Sequence, residues 1–172
     1  MLFLLFLSTS FLLSNTLITT EQLNALQAYK DSNYMQKEKY DVYKSIISQE
    51  ITSDSKDVYI LLYELCLFND ELILANKFLN SAISLDKKDN EIRNLSFNLE
   101  EYRTMIQRAR KTLEKGLVDE AIRDYFQIIE QYPDRALPYY DLGTAYRTNK
   151  DYDNAILNFN IAKGINPNNT MF

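Results

Sequence analysis

The sequence contains no histidine and no tryptophan, and its single cysteine, three glycines and three prolines are few for 172 residues. Without histidine, the chain has no imidazole general base, no Ser-His-Asp or Cys-His catalytic arrangement and no histidine metal site. One cysteine excludes an internal disulfide and a multi-cysteine zinc or iron–sulfur site. Three scattered glycines form no phosphate-binding loop, and so few turn residues argue against an all-β fold. We therefore expect no catalysis, no cofactor and no bound metal.

The chain is instead rich in aromatic residues and slightly acidic. It has 13 tyrosines, 9 phenylalanines and a formal net charge of −5. The acidic balance disfavours broad binding to nucleic acid or to an anionic membrane surface. The one basic cluster, at 108–111, is flanked by Glu100, Glu101 and Glu114. Pairing of opposite charges along a helix explains this cluster, so no nucleic-acid partner is expected.

The first twenty residues carry no charged side chain, and nine of the twelve positions from Leu2 to Leu13 are Leu or Phe. This pattern favours a secretory signal peptide at 1–20. A signal anchor is the second interpretation, because about 18 uncharged residues approach the roughly 20 that span a bilayer. A buried first helix is the third. No Lys or Arg precedes Lys30, and no clean small-residue cleavage site is present, which weakens the export interpretation.

These alternatives predict different locations for the protein. A signal peptide or anchor predicts an exported or membrane-anchored chain on the outer side of a cell membrane, with a possible membrane tether through residues 2–19. A buried first helix predicts a cytoplasmic chain. The composition changes sharply near Thr20, so we expect the folded part to occupy residues 21–172.

A period of 34 residues relates two segments in the C-terminal half. Shifting the sequence by 34 places Ala121 on Ala155 and Pro133 on Pro167. A fixed period of this size is typical of stacked helical repeats. Within residues 136–169, a spaced pattern of aromatic, small and apolar residues comprises Tyr139, Leu142, Gly143, Tyr146, Ala155, Phe159, Ala162 and Pro167. This pattern resembles the tetratricopeptide repeat.

Further copies of the same pattern precede this one. Residues 102–135 resemble a second copy, which retains Ala109, Ala121, Tyr125 and Pro133. Residues 56–89 resemble a third copy, and residues 20–53 a fourth and weaker one, in which Lys39 stands where a small residue is expected. The resemblance implies an all-α fold, namely an α-solenoid of three to four antiparallel helix pairs.

The spacing between copies is not uniform. Ala75 and Ala121, which hold equivalent positions, lie 46 residues apart, 12 more than the period. The extra residues, 90–101, contain no Gly or Pro, and helical spacing continues across them through Leu95, Leu99, Tyr102 and Ile106. This predicts one long helix at 90–114, lengthened by about 18 Å, that packs across the groove or projects as a spur.

Two local features also carry predictions. Cys66 lies in the apolar run 59–68, so a buried structural thiol is expected rather than a nucleophile. Asp134 precedes the first helix of the last copy and is expected to cap its N-terminus. In the same helix, Gly143 is expected to let the neighbouring helix approach closely.

The resemblance implies a concave face, built mainly from the first helix of each repeat, that binds a partner peptide or helix. The candidate partner-binding residues are Arg103, Gln107, Arg110, Leu137, Tyr140, Thr144 and Arg147, with Asp57, Ile60 and Glu64 from the third copy. The arginines suit acidic groups, and Tyr140 suits an aromatic anchor. A solvated helix face is the alternative interpretation of any single residue. The lysine of the family's carboxylate clamp has no counterpart here. The implied function is a non-catalytic protein–protein interaction scaffold or adaptor, whose protein partner the sequence does not identify.

A structural assembly subunit is the alternative function. The last helix carries apolar residues around much of its circumference, and no further helix follows it in this sequence. The ends of helical arrays normally need a polar outer face. The pattern therefore predicts a docking surface, for a second copy or another subunit, formed by Ile156, Leu157, Ile161 and Ile165.

Overall fold

The computed structural model describes residues 16–169, which form eight α-helices and one short pair of strands. Strands β1 (Thr16–Leu17) and β2 (Ile51–Thr52) pair in parallel. The helices are α1 (Thr20–Asp31), α2 (Lys37–Ile47), α3 (Lys56–Phe68), α4 (Leu72–Leu85), α5 (Asn90–Glu114), α6 (Val118–Gln131), α7 (Ala136–Thr148) and α8 (Tyr152–Ile165). The predicted all-α solenoid architecture is confirmed, and β1–β2 is an addition to it.

The helices form four consecutive pairs, each joined by a short turn, so the two helices of a pair run antiparallel. Left-handed residues make three of these turns compact, with φ of +60° at Asp70, +79° at Gly116 and +63° at Lys150. The range 20–53, which the sequence matches weakly, contains the pair α1–α2. Its unexpected Lys39 donates from Nζ to the carbonyl of Ala28 near the end of α1, at 3.1 Å, where a cation is favourable.

Helix α5 has the predicted bounds and connects two hydrophobic cores. Its first half contributes Ile92 and Leu99 to a core with α1–α4, and its second half contributes Tyr102 and Ile106 to a core with α6 and α7. We call the parts on either side of this division the N-terminal lobe (16–99) and the C-terminal lobe (100–169). The extra turns of α5 are packed along the N-terminal lobe rather than projecting as a spur.

The segment after α8 folds back onto the N-terminal lobe. The Nδ2 atom of Asn166 donates to the carbonyl of Phe68 at 3.2 Å, and that of Asn168 donates to the carbonyl of Tyr34 at 2.8 Å. These bonds join positions 98 and 134 residues apart in sequence, at the turns α3–α4 and α1–α2. The end of the last repeat is therefore partly covered by its own chain.

The folded region begins before residue 21. Thr16 lies opposite Ile51 in the strand pair, and Thr19 caps α1 in a reciprocal pair of hydrogen bonds with Gln22. Most of the predicted signal peptide, anchor or buried helix lies at 1–15, outside the described residues, and stays a prediction. Between residues 16 and 169, the structure contains no helix that combines the length and apolarity needed to cross a membrane.

Two local predictions have different outcomes. Cys66 is fully buried, 3.5 Å from the hydroxyl of Tyr43, and burial raises the pKa of its thiol to about 12, as expected of a structural thiol. The predicted cap at Asp134 is wrong. Helix α7 begins at Ala136, so the N-cap position is held by Arg135 and not by Asp134. The side chain of Arg135 makes no capping hydrogen bond.

Gly143 lies at the close crossing of α7 and α8, as expected. A Cβ atom there would lie 2.7 Å from Cε1 of Phe159 and 3.1 Å from the carbonyl oxygen of Ala155. We expect Gly143→Ala to lower the free energy of unfolding by about 1 kcal/mol, because overpacking outweighs the gain in helix propensity. Gly164→Ala, whose Cβ would meet no atom within 4 Å, is the matched control and is expected to be neutral or stabilising. Equal effects in urea denaturation would show that the crossing at Gly143 is not tight.

Candidate functional site

A groove runs along the C-terminal lobe between α5 and α7. It consists of two adjoining cavities of about 400 and 280 Å³, which share Arg110 in their walls. The larger cavity is bounded by the start of α4, the middle of α5 and Leu137. The smaller cavity lies between the end of α5 and the middle of α7, with Tyr125 of α6 at its base. We call the two cavities together the α5–α7 groove.

All seven residues predicted from the second and last copies line this groove. Four lie on the larger cavity and four on the smaller, with Arg110 on both: Arg103, Gln107, Arg110 and Leu137, and then Arg110, Tyr140, Thr144 and Arg147. Leu137 is only 3% exposed and belongs to the C-terminal core. It forms the floor of the groove, whereas the other six side chains are at least partly accessible.

The residues predicted from the third copy do not join this groove. Glu64 lines a different cavity between the lobes and forms an ion pair with Lys30 at 2.5 Å. Asp57 and Ile60 line neither cavity of the groove. The expected continuous concave face is divided, because the additional turns of α5 separate the third copy from the two C-terminal copies.

Arg110 is held by a partner within the fold. Its Nε and one terminal nitrogen donate to the two carboxylate oxygens of Asp141 at 2.7 and 3.1 Å. Burial lowers the pKa of Arg110, but the hydrogen bonds and charge of Asp141 outweigh it and hold this pKa above its usual value. Burial raises the pKa of Asp141, and Arg110 offsets part of that increase. Arg110 lines the groove as predicted, but its guanidinium is already paired within the fold, and its role in partner binding stays a prediction.

The other two arginines of the groove are more available. Arg103 contacts Glu100 at 3.3 Å, but the Glu100 side chain is 69% exposed, and such surface pairs are weak. The guanidinium of Arg147 lies 5.9 Å from the ring centroid of Phe159 and forms no ion pair with any described residue. The groove thus presents a cation in each of its cavities.

Ile73 and Asp70 are two of the groove residues that were not predicted from the sequence. Ile73, at the start of α4, is 83% exposed and lies at the edge of the larger cavity. Its position outside the apolar stripe of Ala75 and Leu79 is a signal in the sequence that could have identified it. Asp70, which lies in the turn between α3 and α4 and lines the larger cavity, was not singled out from the sequence.

Asp70 has an unusual environment for a turn residue. Both of its carboxylate oxygens are buried, and neither makes a hydrogen bond of ordinary geometry with a described residue. Burial raises the pKa of Asp70 to about 7. The charge of Arg135, the backbone N–H of Leu137 and the side chain of Asn169 oppose this increase only in part, and the charge of Asp141 adds to it.

Three of the four residues of the predicted docking surface on α8 are exposed. Ile156, Leu157 and Ile161 are 59%, 56% and 36% exposed. Ile165, the fourth, is only partly exposed and lines the cavity between the lobes. The cause is the C-terminal segment, which turns the end of α8 toward the N-terminal lobe. We call the three exposed residues the α8 surface.

The remaining charged clusters form no further candidate binding site within the described residues. In the basic cluster, Arg108 pairs with Asp124 at 2.7 Å and Arg110 with Asp141, so two of its three cations are matched. Across residues 16–169, no group of three or more carboxylate or thiol side chains is arranged to hold a metal ion.

Comparison with known proteins gives similarity at the level of structure. No protein-family model matches the chain, and no curated protein matches it. The structure is similar to YrrB, described as a TPR protein with an unusual peptide-binding site, over 85% of this chain and 68% of that one, with 21% identity and a TM-score of 0.36. It is also similar to MamA over 88% of this chain and 80% of that one, with 19% identity and a TM-score of 0.36. At these values neither structure assigns a function to this chain.

Proposed function

We propose that this chain is a non-catalytic scaffold that holds a partner protein's peptide or helix in the α5–α7 groove. The observation that carries the proposal is that seven residues, chosen from repeat register alone, line two adjoining cavities. A groove of this kind, between the first helices of successive repeats, suits a helical or extended segment.

The groove also favours a particular partner chemistry. Its floor is apolar at Ile106 and Leu137, and Ile73 adds an exposed apolar group at the edge. Arg103 and Arg147 provide the weakly matched positive charges. We therefore infer that the partner segment combines apolar side chains with at least one carboxylate, since Arg binds carboxylates with directed hydrogen bonds.

Charge reversal at the two available arginines tests the groove. We expect Arg103→Glu combined with Arg147→Glu to reduce capture of the specific partner by the full chain at least about tenfold, because each substitution replaces attraction with repulsion. Arg123→Glu combined with Lys163→Glu is the matched control, since it makes the same charge change at exposed positions on α6 and α8. Affinity capture is measured by quantitative mass spectrometry with all variants side by side.

The comparison between the variants decides the outcome. A protein lost from the groove variant but retained by the control supports the groove. If both variants capture the same proteins at the same levels as the native chain, then the groove does not bind the partner. Circular dichroism confirms that both variants are folded.

The α8 surface supports a second candidate function, namely assembly with another copy or another subunit. Ile156 and Leu157 are neighbours with more than half of each side chain exposed, and Ile161 follows Leu157 one turn later. Contiguous apolar groups of this kind on a soluble protein mark interaction sites. The surface lies on α8 and shares no residue with the α5–α7 groove.

Leu157→Glu tests this second candidate. We expect the native chain to associate at high concentration and Leu157→Glu to shift it toward the monomer by about tenfold in dissociation constant, because a charge would be placed in an apolar contact. Gln127→Glu, which adds the same charge at an exposed polar position of α6 outside the α8 surface, is the control. Multi-angle light scattering measures the mass, and a concentration-independent monomer for the native chain contradicts self-assembly.

Export or membrane tethering through residues 2–19 is part of the proposal and rests on the apolar, uncharged N-terminal sequence. Cell fractionation with N-terminal sequencing tests it. A soluble cytoplasmic chain that retains Met1 would contradict it. The protein used in all these experiments should keep residues 16–20, because β1 and the Thr19 cap belong to the fold.

A further inference from the structure

We propose that the cavity between the two lobes is a binding site for a small organic acid, a carboxylate carried on an aromatic or aliphatic body. The space consists of two connected parts of about 560 and 180 Å³, which share Tyr63, Leu67, Leu95 and Arg135 in their walls. Ligand sites in proteins typically have a few hundred cubic ångströms and apolar walls with few polar groups. None of these wall residues belongs to the α5–α7 groove, so the site is separate from the proposed partner site.

The walls of this inter-lobe cavity are largely aromatic. Tyr34 and Phe68 stack with ring centroids 3.7 Å apart, and Tyr102 meets the edge of Tyr132 at 4.9 Å. Tyr63, which lines both parts, is only 3% exposed. Rings held in this way present flat, rigid apolar surfaces, which suit the body of a small aromatic or aliphatic molecule.

One cation in the cavity is left without a matching anion. Arg135 lines both parts and forms no ion pair with a described residue. Lys30 and Glu64, at the wall of the larger part, neutralise each other at 2.5 Å. Asp134 is exposed to solvent, where its charge is screened. The cavity therefore has a guanidinium without a direct ion pair, whose planar array of donors fits a carboxylate.

A second donor lies in the smaller part of the cavity. Tyr102 is 2% exposed, and its buried hydroxyl has no hydrogen-bond partner among the described residues. A buried hydroxyl without a partner is costly, and an acceptor oxygen on a ligand would satisfy it. Arg135 and Tyr102 contribute to the wall of the same small part, so one carboxylate group has both an ionic partner and a neutral donor available.

Asp70 is the nearby charge that opposes an anion. Burial raises the pKa of the Tyr102 hydroxyl, the charge of Asp70 raises it further, and the charge of Arg135 lowers it. Because burial raises the pKa of Asp70 to about 7, this carboxyl group is largely protonated at pH 6. Experiments at pH 6 therefore measure the affinity of an anion for the cavity while Arg135 is its principal charge.

The first test uses isothermal titration calorimetry on the native full chain. It compares the affinity for a charged acid with the affinity for its uncharged amide, in two pairs of probes. The probes are 3-phenylpropionate with 3-phenylpropionamide, and octanoate with octanamide. We expect saturable binding of at least one acid, about tenfold tighter than its amide, because the amide lacks the charge that pairs with Arg135. No saturable binding by either acid at millimolar concentration, or equal affinity for acid and amide, overturns the proposal.

Two variants then locate the site. Arg135→Gln is expected to remove the preference for the acid, whereas Arg123→Gln, at an exposed position of α6, should keep the native affinity. Leu95→Trp is expected to weaken binding of the acid by filling the space that both parts of the cavity share. Circular dichroism establishes folding, and if Arg135→Gln does not fold, Leu95→Trp decides alone. Native affinity in a folded Leu95→Trp, or in Arg135→Gln, overturns the proposal.

Discussion

At pH 8, Asp70→Asn is expected to be more stable than the native chain, by up to about 4 kcal/mol in the free energy of unfolding. The Asp70 carboxyl lies at the turn between α3 and α4, where α7 and the C-terminal segment bury it. Burial raises its pKa from 3.8 to about 7 in the folded chain. The neutral amide of Asn can occupy this environment at every pH.

The sign of the pH dependence follows from the two pKa values. Between pH 4 and pH 7, the folded chain keeps a proton on Asp70 that the unfolded chain releases, so the native stability falls as pH rises. The stability that comes from keeping this proton on Asp70 is fully present below pH 4 and is lost as the pH passes about 7. We therefore expect the advantage of Asp70→Asn to be large at pH 8 and to fall by more than half at pH 5.

The Asp70 test is urea denaturation of both chains at pH 5, 6.5 and 8. The difference between them isolates Asp70 from the other titrating groups, including Asp141 beside it. Asp54→Asn, which changes an exposed carboxylate in the loop before α3, is the control and should follow the native chain at each pH. A constant difference between Asp70→Asn and the native chain across this range would mean that the pKa of Asp70 is not raised.

Arg110→Met is expected to lower the free energy of unfolding by about 2 kcal/mol, because it leaves the Asp141 carboxylate buried without its partner. Asp141 is 7% exposed and accepts two hydrogen bonds from Arg110. The Arg110 side chain is 44% exposed, so solvent keeps the cost below the roughly 3–5 kcal/mol of a fully buried pair.

A double-mutant cycle separates this ion pair from other effects. Arg110→Met combined with Asp141→Leu should recover most of the lost stability, because neither charge is then left unmatched. Arg108→Met makes the same substitution on the same helix, where Arg108 is 62% exposed and pairs with Asp124, and should cost less than about 1 kcal/mol. If Arg110→Met is as mild as Arg108→Met, then the Arg110–Asp141 pair contributes little to stability.

The sequence could predict the helices because their signals are local. The bounds of α5 follow from the uninterrupted spacing of Leu95, Leu99, Tyr102 and Ile106, and the structure places this helix at Asn90–Glu114. Gly143 was identified through its place in the repeat, and the close contact with Phe159 confirms it. Repeat register also located the walls of the α5–α7 groove, because equivalent positions on successive helices face the same side.

The rest depends on contacts between distant parts of the chain. Asn166 and Asn168 follow the last predicted helix and were given no role, yet they fold the end of α8 onto the N-terminal lobe. This contact buries Asp70 and moves Ile165 into the inter-lobe cavity. The pair of Arg110 with Asp141 joins residues 31 positions apart on different helices. Neither charge nor spacing along one helix reveals which surface arginine has such a partner.

Photo-crosslinking in cells of the source organism tests the proposed partner groove most directly. Benzoylphenylalanine is introduced at Thr144, inside the groove, and separately at Glu120, on the exposed side of α6. We expect a protein adduct of defined mass from position 144, absent from position 120 and lost when Arg103 and Arg147 are both changed to Glu. Adducts from position 120 but not from position 144, in folded protein, would contradict partner binding in the α5–α7 groove.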